Sequence, residues 1–344
     1  MMQKLHRHVE RFAAVLLATA TLFLIAILVA PAIARAETCA PVPQPVVDLD
    51  IPRFYGDAKG SIVDPQQQAL HDAAVAPLTA YMRHVTSFAD AAWKRPSPKS
   101  RGDAATCALA WIESWARGNA WLGAVAQKQS EYQRKWDLAG LALAYLKVKG
   151  YATPEQRRVI EPYLMRFADK ARAFFDDKSH QRNNHWYWLG LGLGAVAIAA
   201  DSDRHWQMAR GIMTDAAREI QADGTLPMEL ARQARAIHYH AFAVMPLVVL
   251  AELAAVRGED WYAFGNGALH RLTAVTLKGI GDPTIFDRLA GIAQERPPKP
   301  GAGWLALYLR RFPDRVPSPV PAMPTGQRWL GGDVMLLRQA LVGG

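Results

Sequence analysis

Between Asn183 and Leu247 the chain concentrates side chains able to hold an anion or move a proton. The stretch opens Asn183-Asn184-His185-Trp186-Tyr187-Trp188 and closes with Arg232, Arg235, Tyr239 and His240. From Met228 to Val256 apolar residues recur at helical intervals without a glycine, which predicts one helix of about eight turns, kinked at Pro246. In such a helix Arg232 and Tyr239, two turns apart, share a face about 10 Å apart along the axis, with Arg235 beside them. Asn184, His185, Tyr187 and Trp188 add an amide, an imidazole and aromatic planes at the start of another helix, where free backbone N–H groups favour an anion. Arg and Asn can neutralise a carboxylate, Trp can stack on a pyranose face, and Tyr and His can move a proton, so the set suits a sugar acid.

Elements that could position these groups are helical throughout. Apolar periodicity predicts helices at about 66–93, 103–121, 130–148, 154–177, 184–200, 203–222, 228–256, 260–278, 283–293 and 302–312. Gly-bearing stops such as Lys149-Gly150 and Asp223-Gly224 separate them, and Thr153-Pro154-Glu155 reads as a fresh start. Strand alternation is nowhere sustained, so the fold class is all-α, built of antiparallel helix hairpins. Lys94–Gly102 is the longest polar break and reads as a loop; Glu37–Pro65 reads as irregular. A Pro-rich run follows Phe312 to Pro324, and the apolar Val334–Leu341 is expected to dock back. The length after residue 36 fits a single domain, 37–344.

Met1–Ala36 reads as an export signal: Lys4, Arg7 and Arg11 precede the apolar Phe12–Ala30, and Ala34-Arg35-Ala36 fits the cleavage rule. An uncleaved anchor is the other reading, since the apolar run nearly spans a bilayer. Cleavage implies a periplasmic or secreted protein with no membrane attachment. The net charge is +9; removing Lys4, Arg7, Arg11, Arg35 and Glu10 leaves the mature chain at +6. A basic exported protein attracts polyanions. No basic run or binding motif points to nucleic acid, and an anionic polysaccharide fits better. Cys39 and Cys107 are the two cysteines; an oxidising compartment suggests a bridge worth about 2–4 kcal/mol, with buried thiols as the other reading.

The ordered run Asn183 to Trp188, then Gly224-Thr225-Leu226-Pro227-Met228-Glu229-Leu230, Arg232, Arg235 and Tyr239-His240, resembles the signature of the alginate lyases of polysaccharide lyase family 5. Similarity extends to Cys107–Gly118, Arg134-Lys135-Trp136 and Trp304–Tyr308, covering most of the mature chain. The resemblance implies an incomplete α/α toroid around a cleft and β-elimination in poly-β-D-mannuronate, without metal or cofactor. By analogy Asn184, His185 and Arg232 neutralise the uronate carboxylate, and Tyr239 removes the C5 proton and returns one to the leaving oxygen. His185 is the base instead where C5 stereochemistry requires it. Arg134, Lys135, Trp136, Tyr187, Trp188, Arg235 and His240 would bind substrate, and Cys39–Cys107 matches a bridge of the family. Phe54–Pro65 corresponds to a lid carrying a lysine; Lys59 is the candidate, and an exposed lysine on a surface loop is the other reading. Trp186 and Ala306 depart from the pattern beside the presumed groove, which keeps glucuronan or another acidic exopolysaccharide open as substrate. A non-catalytic binder of such a polymer remains a further alternative. A monomer is expected.

Other motifs carry less. Gly190, Gly192 and Gly194 lack a preceding strand and the nucleotide-loop spacing, so close helix packing is expected. His238 and His240 point about 200° apart on a helix and cannot easily share a metal. Trp111, Trp115 and Trp121 read as core or groove wall. A hydrolase needs two opposed carboxylates, and Glu229 looks like part of a turn instead.

Overall fold

Apolar periodicity interrupted by capped starts becomes a succession of helices. They are α1 (Pro65–Lys94), α2 (Pro98–Arg117), α3 (Lys128–Val148), α4 (Pro154–Ala173), α5 (Asn184–Ala199), α6 (Asp203–Glu219), α7 (Pro227–Leu230), α8 (Ala236–Val256), α9 (Phe264–Gly281), α10 (Thr284–Ala290), α11 (Gly303–Arg311) and α12 (Val334–Val342). Two-residue strands, β1 (Gly326–Gln327) and β2 (Gly332–Asp333), pair antiparallel before α12. This computed structural model describes residues 39–177, 179–180, 182–295, 303–315 and 326–342. The expected export signal at Met1–Ala36 and most of the Pro-rich run lie outside the described residues. The chain divides into compact units Met1–Cys39 and Ala40–Gly344, and the second carries every helix named here. Cys39 and Cys107 are both disulfide-bonded.

Helices α1, α3, α5 and α8 pack side by side in that order, and α2, α4, α6 and α9 pack behind them as hairpin partners. Helix α11 continues from α8, and α12 returns to α3. The inner members α5 and α8 are apolar on every side because they are covered on every side, whereas α3 is buried along most of its length but carries polar residues between Lys128 and Asp137. One consequence is that Gln233–Val256 is long and apolar enough to cross a membrane, yet 78% of its apolar window is buried inside the protein. Gly190 and Gly194 make the dense packing feasible: a Cβ at these positions would stand 2.7 Å from Ile212 and 2.5 Å from Leu250.

Caps set several starts. Thr153 and Gln156 form a reciprocal capping box on α4, and Ser97 with Ser100 forms one on α2. That second box corrects the loop expected at Lys94–Gly102, because Ser97-Pro98 begins a helix five residues before the expected 103. Segment 40–49 runs along α2 and its exit, where the Trp111 and Trp115 indoles donate to the carbonyls of Ala40 and Pro43, and Trp121 N–H to that of Val46. These tryptophans are therefore core, not sugar platforms. Buried Lys147 of α3 bonds Asp90 of α1 at 2.6 Å and the Gly331 carbonyl at 2.6 Å, fixing the β1–β2 turn against the inner helices.

The helix expected from Met228 to Val256 is broken. One turn of α7 ends at Leu230, Gln233 takes φ +54°, and a 3-10 turn, Gln233–Arg235, precedes α8. Arg232 and Tyr239 therefore belong to different segments.

Candidate active site

A cavity of about 830 Å³ opens among the N-terminal half of α1, the starts of α3, α5 and α8, the loop 53–60 and the segment Gln327–Trp329. Among the described residues five cations line it, Arg53, Lys128, Arg232, Arg235 and Arg328, against a single carboxylate, Asp72. Such a wall favours a polyanion.

Asn183 caps α5, its side chain accepting from His185 N–H, which sets the imidazole at the cavity wall. The His185 ring stacks on Tyr132 with centroids 3.7 Å apart and planes at 7°, and stands 5.8 Å from Trp136. Burial, with Lys135 and Arg232 nearby, pushes its pKa well below the usual histidine value, so the ring is neutral. Its Nδ1 is buried without a partner among the described residues. Tyr239 projects from the first turn of α8; Arg232 lies over its ring at 3.8 Å and Arg235 at 5.6 Å. Arg232 Nε has no partner among the described residues.

The loop 53–64 covers these groups. Asp57 accepts from Ser61 and Ile62 N–H, closing a turn whose Gly60, at φ +65°, packs flat on the Arg232 guanidinium. Tyr55 hydroxyl bonds the Tyr239 hydroxyl and receives Arg235 Nη1 at 2.8 Å. Burial raises the Tyr55 pKa, helped by Tyr239 and opposed by Arg235, so this phenol stays protonated and can donate.

His185, Arg232, Tyr239, Trp136 and Arg235 are thus brought together around one hollow. Asn184 is fully buried one layer behind it: its N–H and Nδ2 donate to Glu229 Oε1 at 2.7 and 2.9 Å. Glu229, expected to be a turn residue only, is a buried carboxylate raised in pKa by its burial and partly held down by Asn184 and Arg232.

Several expected binding residues face elsewhere. His240 is fully buried with both nitrogens occupied, Nε2 by Leu226 N–H at 2.9 Å and Nδ1 by the Ala236 carbonyl at 2.8 Å. Tyr187, two residues on from His185 and so on the opposite side of the helix, is tied to Glu219, and Trp188, though near the His185 face, is fully buried one turn on and donates to the Phe242 carbonyl. Arg134 is consumed by Glu131 and the carbonyls of Trp121 and Gly123. Lys135 sits buried behind the wall, 3.9 Å from the Trp136 ring and donating to the Tyr132 carbonyl. Lys59 is exposed and outside the cavity lining, although its neighbours Ala58 and Gly60 belong to it. Trp186, bonded to Asp215, and Ala306 do not border the cavity, which removes the reason for reading them as substrate-setting departures. Sequence reasoning missed Tyr55, Tyr132, His238, Arg328 and Trp329, all cavity-lining. They come from four separate stretches of the chain, Arg328 and Trp329 sharing one, so no local spacing joins them.

The alginate lyase family model matches residues 52–286. The chain is similar to a polysaccharide lyase of Stenotrophomonas maltophilia (strain K279a), 40% identical over 322 residues covering 92% of this chain and 95% of that protein. It is also similar to an alginate lyase of Azotobacter vinelandii, 31% identical over 75% of this chain and 70% of the other. Among solved structures, alginate lyase A1-III from Sphingomonas species A1 superposes with a TM-score of 0.72 at 23% identity, covering 87% of this chain and 85% of that one. A variant of the same enzyme complexed with a tetrasaccharide gives a TM-score of 0.75 at 24% identity, over 88% of each chain. The helical layers are therefore those of an α/α toroid, and the chain belongs to the alginate lyases of polysaccharide lyase family 5.

Proposed function

We propose that the protein is an exported, monomeric lyase that cleaves poly-β-D-mannuronate by β-elimination in the periplasm or outside the cell. The observation that carries this reading is the cavity wall, with five cations, one carboxylate, and an imidazole and phenol facing the same space. That the relatives named above are alginate and polysaccharide lyases supports it. A lone carboxylate disfavours a hydrolase, which needs two. A non-catalytic binder would have no use for the juxtaposed phenols and guanidinium.

Proton loss at C5 beside an ionised carboxylate is difficult, so the site must neutralise that carboxylate and stabilise the enolate. Arg232, which has no carboxylate partner among the described residues, takes the uronate carboxylate, with His185 Nδ1 and the Asn184 amide behind it. Tyr239 oxygen then removes the C5 proton with Arg232 and Arg235 as countercharge. The C5–H electrons form C4=C5, the C4–O4 bond breaks, and the proton on Tyr239 passes to O4. Tyr55, protonated and anchored by Arg235, donates to Tyr239 oxygen while it lacks the proton.

Purified protein with polymannuronate is expected to release ultraviolet-absorbing unsaturated oligomers. Tyr239→Phe should lower kcat about 10³-fold with an unchanged melting curve; retained activity would remove Tyr239 from the reaction. Arg232→Ala should lower kcat by about 10²-fold or more, and a change confined to KM would make it a binding residue only. Saturated reducing ends would indicate hydrolysis, and polymer binding without products a binder.

A further inference from the structure

Glu229 has no place in the elimination as written, yet it is a buried carboxylate bonded to Asn184. It is 1% exposed and lies on α7, three residues before Arg232, whose backbone N–H bonds the Glu229 carbonyl at 3.2 Å. Its side chain crosses to the start of α5, where one oxygen takes both the backbone and side-chain N–H of Asn184. The residue after Asn184 is His185. One carboxylate therefore joins the segment that carries Arg232 to the segment that carries Asn184 and His185, and among the described residues no other side chain bonds Asn184. The arrangement also has a polarity. Flipping the Asn184 amide would set its carbonyl oxygen against Glu229 Oε1, so Glu229 dictates which end of the amide lies where. Asn184 Oδ1 and Glu229 Oε2 are buried without partners among the described residues, so the bonds described here do not saturate this pair. A buried polar contact of this kind is costly to keep unless it sets a geometry.

We propose that Glu229 is a positioning residue for the elimination: it fixes the Asn184 amide and, through it, the spacing between His185 and Arg232. This rests on the lyase reading above. Displacement of a reacting group by about 1 Å can cost about 100-fold in rate, and a strut between two short segments is where such displacement would begin.

The test compares Glu229→Ala and Glu229→Gln, alone and combined with Asn184→Ala, on polymannuronate, with thermal melts of each. Glutamine keeps an acceptor oxygen for Asn184 and loses only the charge. Glu229→Ala should lower kcat about 100-fold with KM within about threefold of the parent, and Glu229→Gln should recover most of the loss. In the Asn184→Ala background, where only the backbone N–H bond to Glu229 is left, Glu229→Ala should cost markedly less activity than in the parent, because the side-chain amide it orients is missing. An equal loss in that background, a loss carried by KM, or a glutamine variant no better than alanine would overturn the proposal. If Glu229→Ala does not fold, the glutamine variant and its double mutant decide alone. Wild-type protein that forms no unsaturated product would sink the lyase reading instead. The strut is then judged by hydrogen exchange of the Asn184 side-chain amide, slow in wild type and glutamine variant if it holds, fast in both if it does not.

Discussion

His240 shows what a single residue's surroundings decide. Its sequence position beside Tyr239 suggested substrate contact, but its two ring nitrogens serve Leu226 N–H and the Ala236 carbonyl. Burial lowers its pKa to about 4, with the Ala236 carbonyl and Asp223 acting the other way. Unfolded chain takes up a proton at this residue as pH falls through the ordinary histidine range, about 6.5, while folded chain does not until about 4. Stability is therefore lost across that window as pH falls. His240→Gln lacks the linkage, so the stability gap between parent and variant should narrow from pH 7 to pH 4.5 in chemical denaturation; a constant gap would mean that His240 titrates normally. Tyr55 is the complementary case, unforeseen because a tyrosine in a polar loop carries no mark of its distant partner. Removing its hydroxyl in Tyr55→Phe should lower kcat about tenfold or more with little change in melting temperature, measured on the same polymer.

Helices were legible where apolar spacing and stops agreed. Thr153-Pro154 announced α4, and the glycines of α5 announced close packing, because both signals are local. The break before α8 was not legible: nothing in Gln233 signals a positive φ, and the apolar pattern runs through it. The consequence is chemical, since a continuous helix would hold Arg232 two turns from Tyr239, whereas the break folds its guanidinium onto the phenol ring. Nor could spacing show that Gln327–Trp329 completes the cavity, with Trp329 stacked on Trp136 at 4.8 Å. That segment rests on Gly140 of α3, where a Cβ would stand 2.3 Å from the Arg328 carbonyl oxygen and 3.1 Å from Trp329 Cα. Gly140→Ala must push the segment off the helix. It should cost about 1–3 kcal/mol in denaturation and raise KM as Arg328 and Trp329 shift; parent-like kinetics would show that the segment does not touch substrate.

At the scale of the molecule, composition foretold a cationic protein for an anionic polymer, and the structure gathers Arg53, Lys128, Arg232, Arg235 and Arg328 around one hollow. Encounter with a polyanion should then be steered and screened by salt. Between about 0.05 and 0.5 M sodium chloride kcat/KM on polymannuronate should fall about tenfold, mostly through KM, in initial-rate assays. Insensitivity to salt would place the guanidiniums out of reach of the approaching chain.

The cleft borrows its walls from Arg53–Gly60 and from Gln327–Trp329, segments near opposite ends of the described residues. A ribosome must therefore have passed Trp329 before any competent centre exists. Afterwards, a protease nick in either segment would silence the enzyme while leaving its helical body standing.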